Sequence, residues 1–364
     1  MLAIPSSQHL PVQYLAAGFN EVTNSYKFYW FLAILEEIQE KRSPCLATRD
    51  LLARMVAGVW YPTNYFRLSF GKQDRLGQAA VQLGADANLL MDASRQKIIQ
   101  HLIAIDLPRD IKSLGAYVPY RFLRPFFALQ LRGLTDAKVN GQIQQLANAA
   151  FTNEQNPCLY RFSRGGIEIH PTWFEYLNQH LSILTAFCLW HLVNYLQKNN
   201  PNVPNVSGKL FEPVQRDLKQ AKAVWMTVLD VAGPLICIYS GQPLQKGAFS
   251  LDHFLPWRFV AHDLLWNIIP TPKSVNSSKN DSLPDLSRYF EKFADAQYLA
   301  VQAVAKSSRP ALLEDYALLL KSESIAELRT ISKARFRDQL QAVITPQVQI
   351  ATNMGFSGEW VFAP

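Results

Sequence analysis

A helical rhythm runs through most of this 364-residue chain and fails in one place, between residues 235 and 284. Apolar residues that recur every three to four positions describe amphipathic helices, each with a stripe to bury against a neighbour. The exception, LICIYSGQPLQKGAFSLDHFLPWRFVAHDLLWNIIPTPKSVNSSKNDSLP, is dense in Gly, Pro, Asn, Asp and Ser. Short apolar runs at ICIY, AFSL and WNII read as strands, and PKSVNSSKN reads as a short helix. The expected fold class is therefore mainly α, a helical chain with one embedded strand–strand–helix unit.

The helices can be placed one by one. Asn24-Ser25 caps a helix through YKFYWFLAILEEIQEKR, with Phe28, Phe31, Leu35 and Ile38 at helical spacing. Thr48 opens another, carrying Leu51, Leu52, Met55, Val56 and Val59 to a stop near Pro62. Others are expected around 75–83, 94–105 and 136–151. CLYRF and GIEIH alternate about Ser163-Arg164-Gly165, which predicts a small β-hairpin. From Pro171 a single long helix runs to residue 197, apolar most of the way round, so a central buried element is expected. NNPNVPNVSG closes it as the best linker; a helix over 213–231 follows, then three more after Pro284. Four regions result: 1–156 helical, 157–233 hairpin plus long helices, 234–290 the irregular unit, and 291–364 helical.

Composition narrows the class further. With 49% apolar and 18% charged residues, the chain can bury a large core and is not mainly disordered. Its first twenty residues show neither a basic n-region nor an unbroken apolar stretch, so no secretory leader is expected. The most apolar run, LSILTAFCLWHLV, falls short of the ~20 residues a membrane span needs. Cys45, Cys158, Cys188 and Cys237 form no CxxC pair, which argues against a disulfide framework and for a reducing, cytoplasmic setting. The net charge of +7 suits a nucleic-acid partner and equally a solvated basic surface.

Polar residues able to do chemistry concentrate in the irregular unit. Asp252 and His253 end the strand AFSL, where neighbouring side chains reach one site only if the chain turns; Pro256 follows closely. Asn276 lies in the short helix, with Lys279 one turn later on nearly the same face. If that helix packs across the strands, Asp252 and Asn276 offer two oxygens to one cation. A carboxylate and an amide carbonyl suit Mg²⁺ or Mn²⁺, whereas zinc favours His and Cys. His253 can then take a proton from water, and Lys279 can balance phosphate charge.

These residues, Asp252-His253 with Pro256, Trp266-Asn267, Asn276 to Asp281 and the closing Leu283-Pro284, resemble an HNH endonuclease motif, also called the ββα-metal motif. The intervals are similar to those of the HNH domain of RNA-guided CRISPR effector nucleases. The resemblance implies that His253 is the general base and that Asp252 and Asn276 hold the metal. It further implies that Asn267 holds the loop presenting His253, and that Lys279 contacts phosphate. The implied reaction is metal-dependent hydrolysis of nucleic-acid phosphodiesters, usually in DNA, one strand per visit. Double-strand cutting would then need a dimer, two visits or a second site, and a homodimer or a partner protein or guide complex is the partner to expect. Many members brace the motif with paired CxxC around zinc; Cys237 stands alone here, so no structural zinc is expected. A bacterial restriction or anti-phage role fits by analogy. An HNH-type RNase, or a binding protein retaining an inactive module, are the alternatives.

Blander readings exist for each residue. Asp252-His253 can be a hydrogen-bonded loop pair, and Asn276 with Lys279 a solvated helix face. His262-Asp263 reads as a turn and cap feature. His180 and His191 read as buried or boundary histidines on the long helix. Arg329, Lys333 and Arg337 recur every four residues as a basic stripe or a solvated face. YVPYRFLRPFF interleaves Arg121 and Arg124 with Tyr117 and Phe122, for stacking on unpaired bases or simply as core aromatics.

Overall fold

A computed structural model describes residues 3–20, 22–86, 89–213, 216–307 and 309–363. Contacts divide the chain into two units, Met1–Pro201 with Val206–Pro213, and Asn202–Asn205 with Val214–Pro364. The chain is mainly helical, and its strands are few and short. No helix among the described residues is long and apolar enough to cross a membrane.

The first unit is built on α1 (Tyr26–Lys41) against α2 (Thr48–Trp60). Trp30, Phe31 and Ile34 from one and Leu51, Met55 and Val56 from the other are fully buried. Arg54 is enclosed beside them, its Nε 2.5 Å from Glu37 Oε1 and its Nη1 3.1 Å from Glu36 Oε1, with Glu40 completing the cluster. The predicted hairpin is present as β2 (Tyr160–Ser163) and β3 (Gly166–Ile169). An unexpected strand, β1 (Cys45–Ala47), adds to the far edge of β3. Gly166 permits that pairing, since a Cβ there would stand 2.2 Å from the Leu46 carbonyl oxygen.

The single long helix expected from Pro171 is two helices, α3 (Pro171–Gln179) and α4 (Leu181–Asn199), broken at His180. Nor is α4 buried all round: Leu184, Cys188, Leu192 and Leu196 face inward while Trp190 is 55% exposed. The continuous apolar run hid a one-sided helix because Ile183 and Trp190 sit on its open face.

In the second unit, α5 (Lys219–Ala232) and α7 (Leu286–Ala305) pack on each other and on the irregular segment, and α8 (Lys333–Asn353) packs on α7. The expected start of α5 at Pro213 moves to Lys219, and residues 214–215 lie outside the described ones. Between α5 and α7 run β4 (Leu235–Ile236), β5 (Pro243–Leu244), β6 (Ser250–His253), β7 (Ile268–Thr271) and α6 (Lys273–Lys279). β4 pairs with β5 and β6 with β7, both antiparallel, so that His253 faces Ile268 and Asp252 faces Ile269.

Helices outside the segment hold it. The Ile268 carbonyl, opposite His253, accepts hydrogen bonds from Trp225 Nε1 of α5 at 3.1 Å and Gln297 Nε2 of α7 at 2.9 Å. The Phe254 ring stacks on Phe293 with centroids 3.9 Å apart. Farther along, residues 357–360 lie against the end of the segment: Leu283 N donates to Ser357 O, and Trp360 N to Leu283 O. Cys237 is buried, its Sγ 3.3 Å from Thr271 Oγ1.

Candidate active site

The site grows from the end of β6, where the strand stops and two elements converge on it. Helix α6 lies across β6 and reaches it with the two residues that share its face. Asn276 Nδ2 donates to Ser250 Oγ at 3.2 Å and to Leu251 O at 3.1 Å. With the amide nitrogen so used, no hydrogen bond reaches Asn276 Oδ1 among the described residues. Lys279 Nζ donates to His253 O at 2.7 Å and pairs with Asp252 Oδ1 at 3.2 Å.

Asp252 is 3% exposed and its second oxygen accepts the Tyr239 hydroxyl at 2.9 Å. A carboxylate with one neighbour on each oxygen still has lone pairs to offer a cation. Burial pushes the Tyr239 phenol well above its ordinary range, and the Asp252 charge adds to that, so Tyr239 remains a donor.

Strand alternation sends His253 the other way. It is 3% exposed and its Nε2 lies 2.8 Å from Asp263 Oδ1. Asp263 comes from the connection between β6 and β7, and its other oxygen accepts the Asp217 backbone N–H at 3.2 Å. No hydrogen bond reaches His253 Nδ1 among the described residues. A carboxylate on Nε2 fixes the tautomer with its proton there and leaves the lone pair on Nδ1.

Asn267 is completely buried and turned to backbone. Its Oδ1 accepts Leu255 N at 2.8 Å, its Nδ2 donates to Leu255 O at 2.9 Å, and its own carbonyl accepts Phe254 N. Its side-chain polar atoms and its carbonyl are thus spent on the two residues after His253, which makes it a positioning residue. Lys279 departs from expectation. It is wholly buried and bonded to Asp252 Oδ1 and His253 O, so its ammonium holds the acidic side chain instead of standing on a solvated helix face.

Asp252 and Asn276 present oxygen, and no group of three His, Cys, Asp or Glu side chains able to hold a metal exists among the described residues. If Asp252 and Asn276 were to share a cation, two oxygen donors completed by water and phosphate would suit Mg²⁺ or Mn²⁺ better than a tetrahedral N/S ion.

Asp263 and Tyr239 are the residues that sequence reasoning passed over. The signal for Asp263 was a second His–Asp pair inside the connection that β6 and β7 close; only His262 behaves as the turn feature expected, its Nδ1 accepting Leu264 N at 3.4 Å. The basic stripe disperses. Arg329 donates to Ala305 O, Lys333 pairs with Asp295 at 2.7 Å, and Arg337 reaches Glu291 at 3.8 Å.

Set beside known families, residues 237–285 match the profile of the family described as HNH endonuclease. The segment is an HNH endonuclease domain, and the matched stretch holds every residue of the site described above. No curated protein and no solved structure matched the chain.

Proposed function

We propose that this chain is a metal-dependent endonuclease that hydrolyses phosphodiester bonds in DNA, one strand per visit. The observation that carries the reading is the buried imidazole of His253, held through Nε2 by Asp263, at the end of a strand whose preceding residue Asp252 pairs with Lys279 of the same helix that brings Asn276 to Leu251 O. A divalent cation held by Asp252 and Asn276 would supply positive charge to offset what develops on the phosphate and the leaving oxygen.

The chain's own residues supply the rest. With its Nε2–H donated to Asp263, His253 takes a proton from the attacking water at Nδ1, the water oxygen forms its bond to phosphorus, and the P–O3′ bond breaks. Lys279 and Tyr239 hold the Asp252 carboxylate in one orientation, and Asn267 fixes the loop that follows His253. A cleft of about 360 Å³ lined by Arg216, Lys219 and Lys222 borders Leu251, and the neighbouring Asp217 N–H holds Asp263. These three cations are suited to the phosphate backbone of the bound strand. Restriction of invading DNA is the role in which we place such a nuclease.

The test incubates the protein with supercoiled plasmid, single-stranded DNA and RNA, in Mg²⁺, Mn²⁺ or chelator, beside His253→Ala. Nicking of plasmid that needs metal and is lost in His253→Ala is expected. Cleavage of RNA alone would move the activity to an RNase, and identical behaviour of wild type and variant on every substrate would remove His253 as the base.

A further inference from the structure

The first unit carries a second concentration of positive charge, unrelated to the residues of the nuclease site. Lys27 of α1, Arg75, Arg121 and Arg124 line one cleft of about 730 Å³. Arg121 and Arg124 belong to the aromatic–basic run YVPYRFLRPFF, whose Phe122 and Phe127 are buried and whose Tyr117 is 56% exposed at the cleft. The run therefore divides its labour: the phenylalanines anchor it in the core, while its arginines and Tyr117 face outward.

The charges in this cleft are poorly balanced. Its one acidic side chain, Asp136, is spent on Arg121, which it meets at 2.7 Å while Asn140 Oδ1 accepts Arg121 Nε at 3.0 Å. Lys27, Arg75 and Arg124 have no ion pair among the described residues. Burial lowers the Lys27 ammonium from its ordinary range, and the positive charges of Arg124 and Arg121 lower it further. Like charges held together without counter-charge favour an anion that binds among them. The Arg121 guanidinium is already oriented by Asp136 and Asn140, so it loses little freedom on donating its remaining N–H groups to a phosphate oxygen. Tyr117, with Arg121 Cζ 6.0 Å from its ring centroid, adds a flat face beside that phosphate position.

We infer that this cleft binds a nucleotide unit, its phosphates among Lys27, Arg121 and Arg124 and its base stacked on Tyr117. Aromatic stacking next to backbone cations is how single-stranded nucleic acid is held without sequence preference, and a free nucleoside polyphosphate presents the same chemistry. The volume suits one nucleotide, and the open mouth leaves room for a strand to continue.

The test is fluorescence anisotropy of the full chain, in chelator to prevent cleavage, with a 5′-labelled oligo(dT), competed by ATP or by inorganic pyrophosphate. Lys333→Gln with Arg337→Gln, which removes two positive charges from the dispersed stripe, is expected to bind as wild type does, so that a loss in the cleft variant is local and not an effect of net charge. Lys27→Gln with Arg124→Gln is expected to weaken oligonucleotide binding about tenfold or more and to flatten its salt dependence. Tyr117→Ala is expected to weaken it about tenfold, with Tyr117→Phe restoring it and pyrophosphate binding unmoved. Full competition by ATP at matching affinity identifies a free nucleotide as the ligand, and resistance to ATP identifies a strand. Affinity unchanged in the double variant overturns the site; pyrophosphate competing as well as ATP, with Tyr117→Ala silent, overturns the nucleotide assignment.

Discussion

Each unit encloses one cationic side chain next to a carboxylate, and the two are arranged to opposite ends. In the first, Arg54 is 3% exposed and surrounded by Glu36, Glu37 and Glu40, of which Glu37 also meets Lys41 at 2.9 Å. Negative charge is in excess and spread over several partners, two of them reaching solvent. In the second, Lys279 has a single carboxylate, Asp252, and the two are 0% and 3% exposed. A redundant cluster can lose a member and rearrange, whereas a sealed pair cannot. Redundancy suits a helix–helix joint. A sealed pair suits a carboxylate that must hold one orientation while keeping lone pairs for another ligand.

The sharpest way to break this contrast is Lys279→Met. It leaves Asp252 buried and charged with only Tyr239, so a stability loss of about 3–5 kcal/mol in denaturant unfolding is expected, with cleavage lost in whatever remains folded. Arg54→Met is expected to cost less, about 2 kcal/mol, because Lys41 still serves Glu37 and water serves Glu36 and Glu40. Equal losses in the two variants would show that redundancy confers nothing. Asp263→Asn should leave unfolding nearly unchanged and slow cleavage about 10- to 100-fold, since an amide can turn either end to Nε2 and no longer fixes the tautomer.

Tyr239→Phe removes a neutral donor from Asp252 and is expected to cost about 1 kcal/mol. It also carries a pH signature. The folded phenol is raised above the unfolded value of about 10, so its contribution is complete below about pH 10 and is lost as pH climbs beyond it. Wild type should therefore lose unfolding free energy above pH 10 more steeply than Tyr239→Phe, and parallel slopes would deny Tyr239 that role.

Much of this was legible in the sequence, for identifiable reasons. Asp252, His253, Asn267 and Asn276 stand at motif spacing on a short hairpin and helix, so local order along the chain was enough to bring them together. Lys279 was placed on the correct helix face but given the wrong environment, because burial of an ammonium depends on the strand beneath it and leaves no local trace. Asp263 was masked by its resemblance to a turn residue. Trp225 and Gln297 were illegible, since nothing near either residue announces that a carbonyl in β7 will accept from both. The run broken at His180 misled for the opposite reason: hydrophobicity alone cannot separate two one-sided helices from one enclosed helix.

The contact of Leu283 with residues 357–360 sets an order of events during synthesis. A ribosome finishes Asp252, His253 and Asn276 long before it adds Gln297, and longer still before Trp360. The growing chain thus carries all the groups of the site, with Trp225 already made but without Gln297 and Trp360, which complete their support. The HNH domain is thus completed late, once the helices that pack on it have been made.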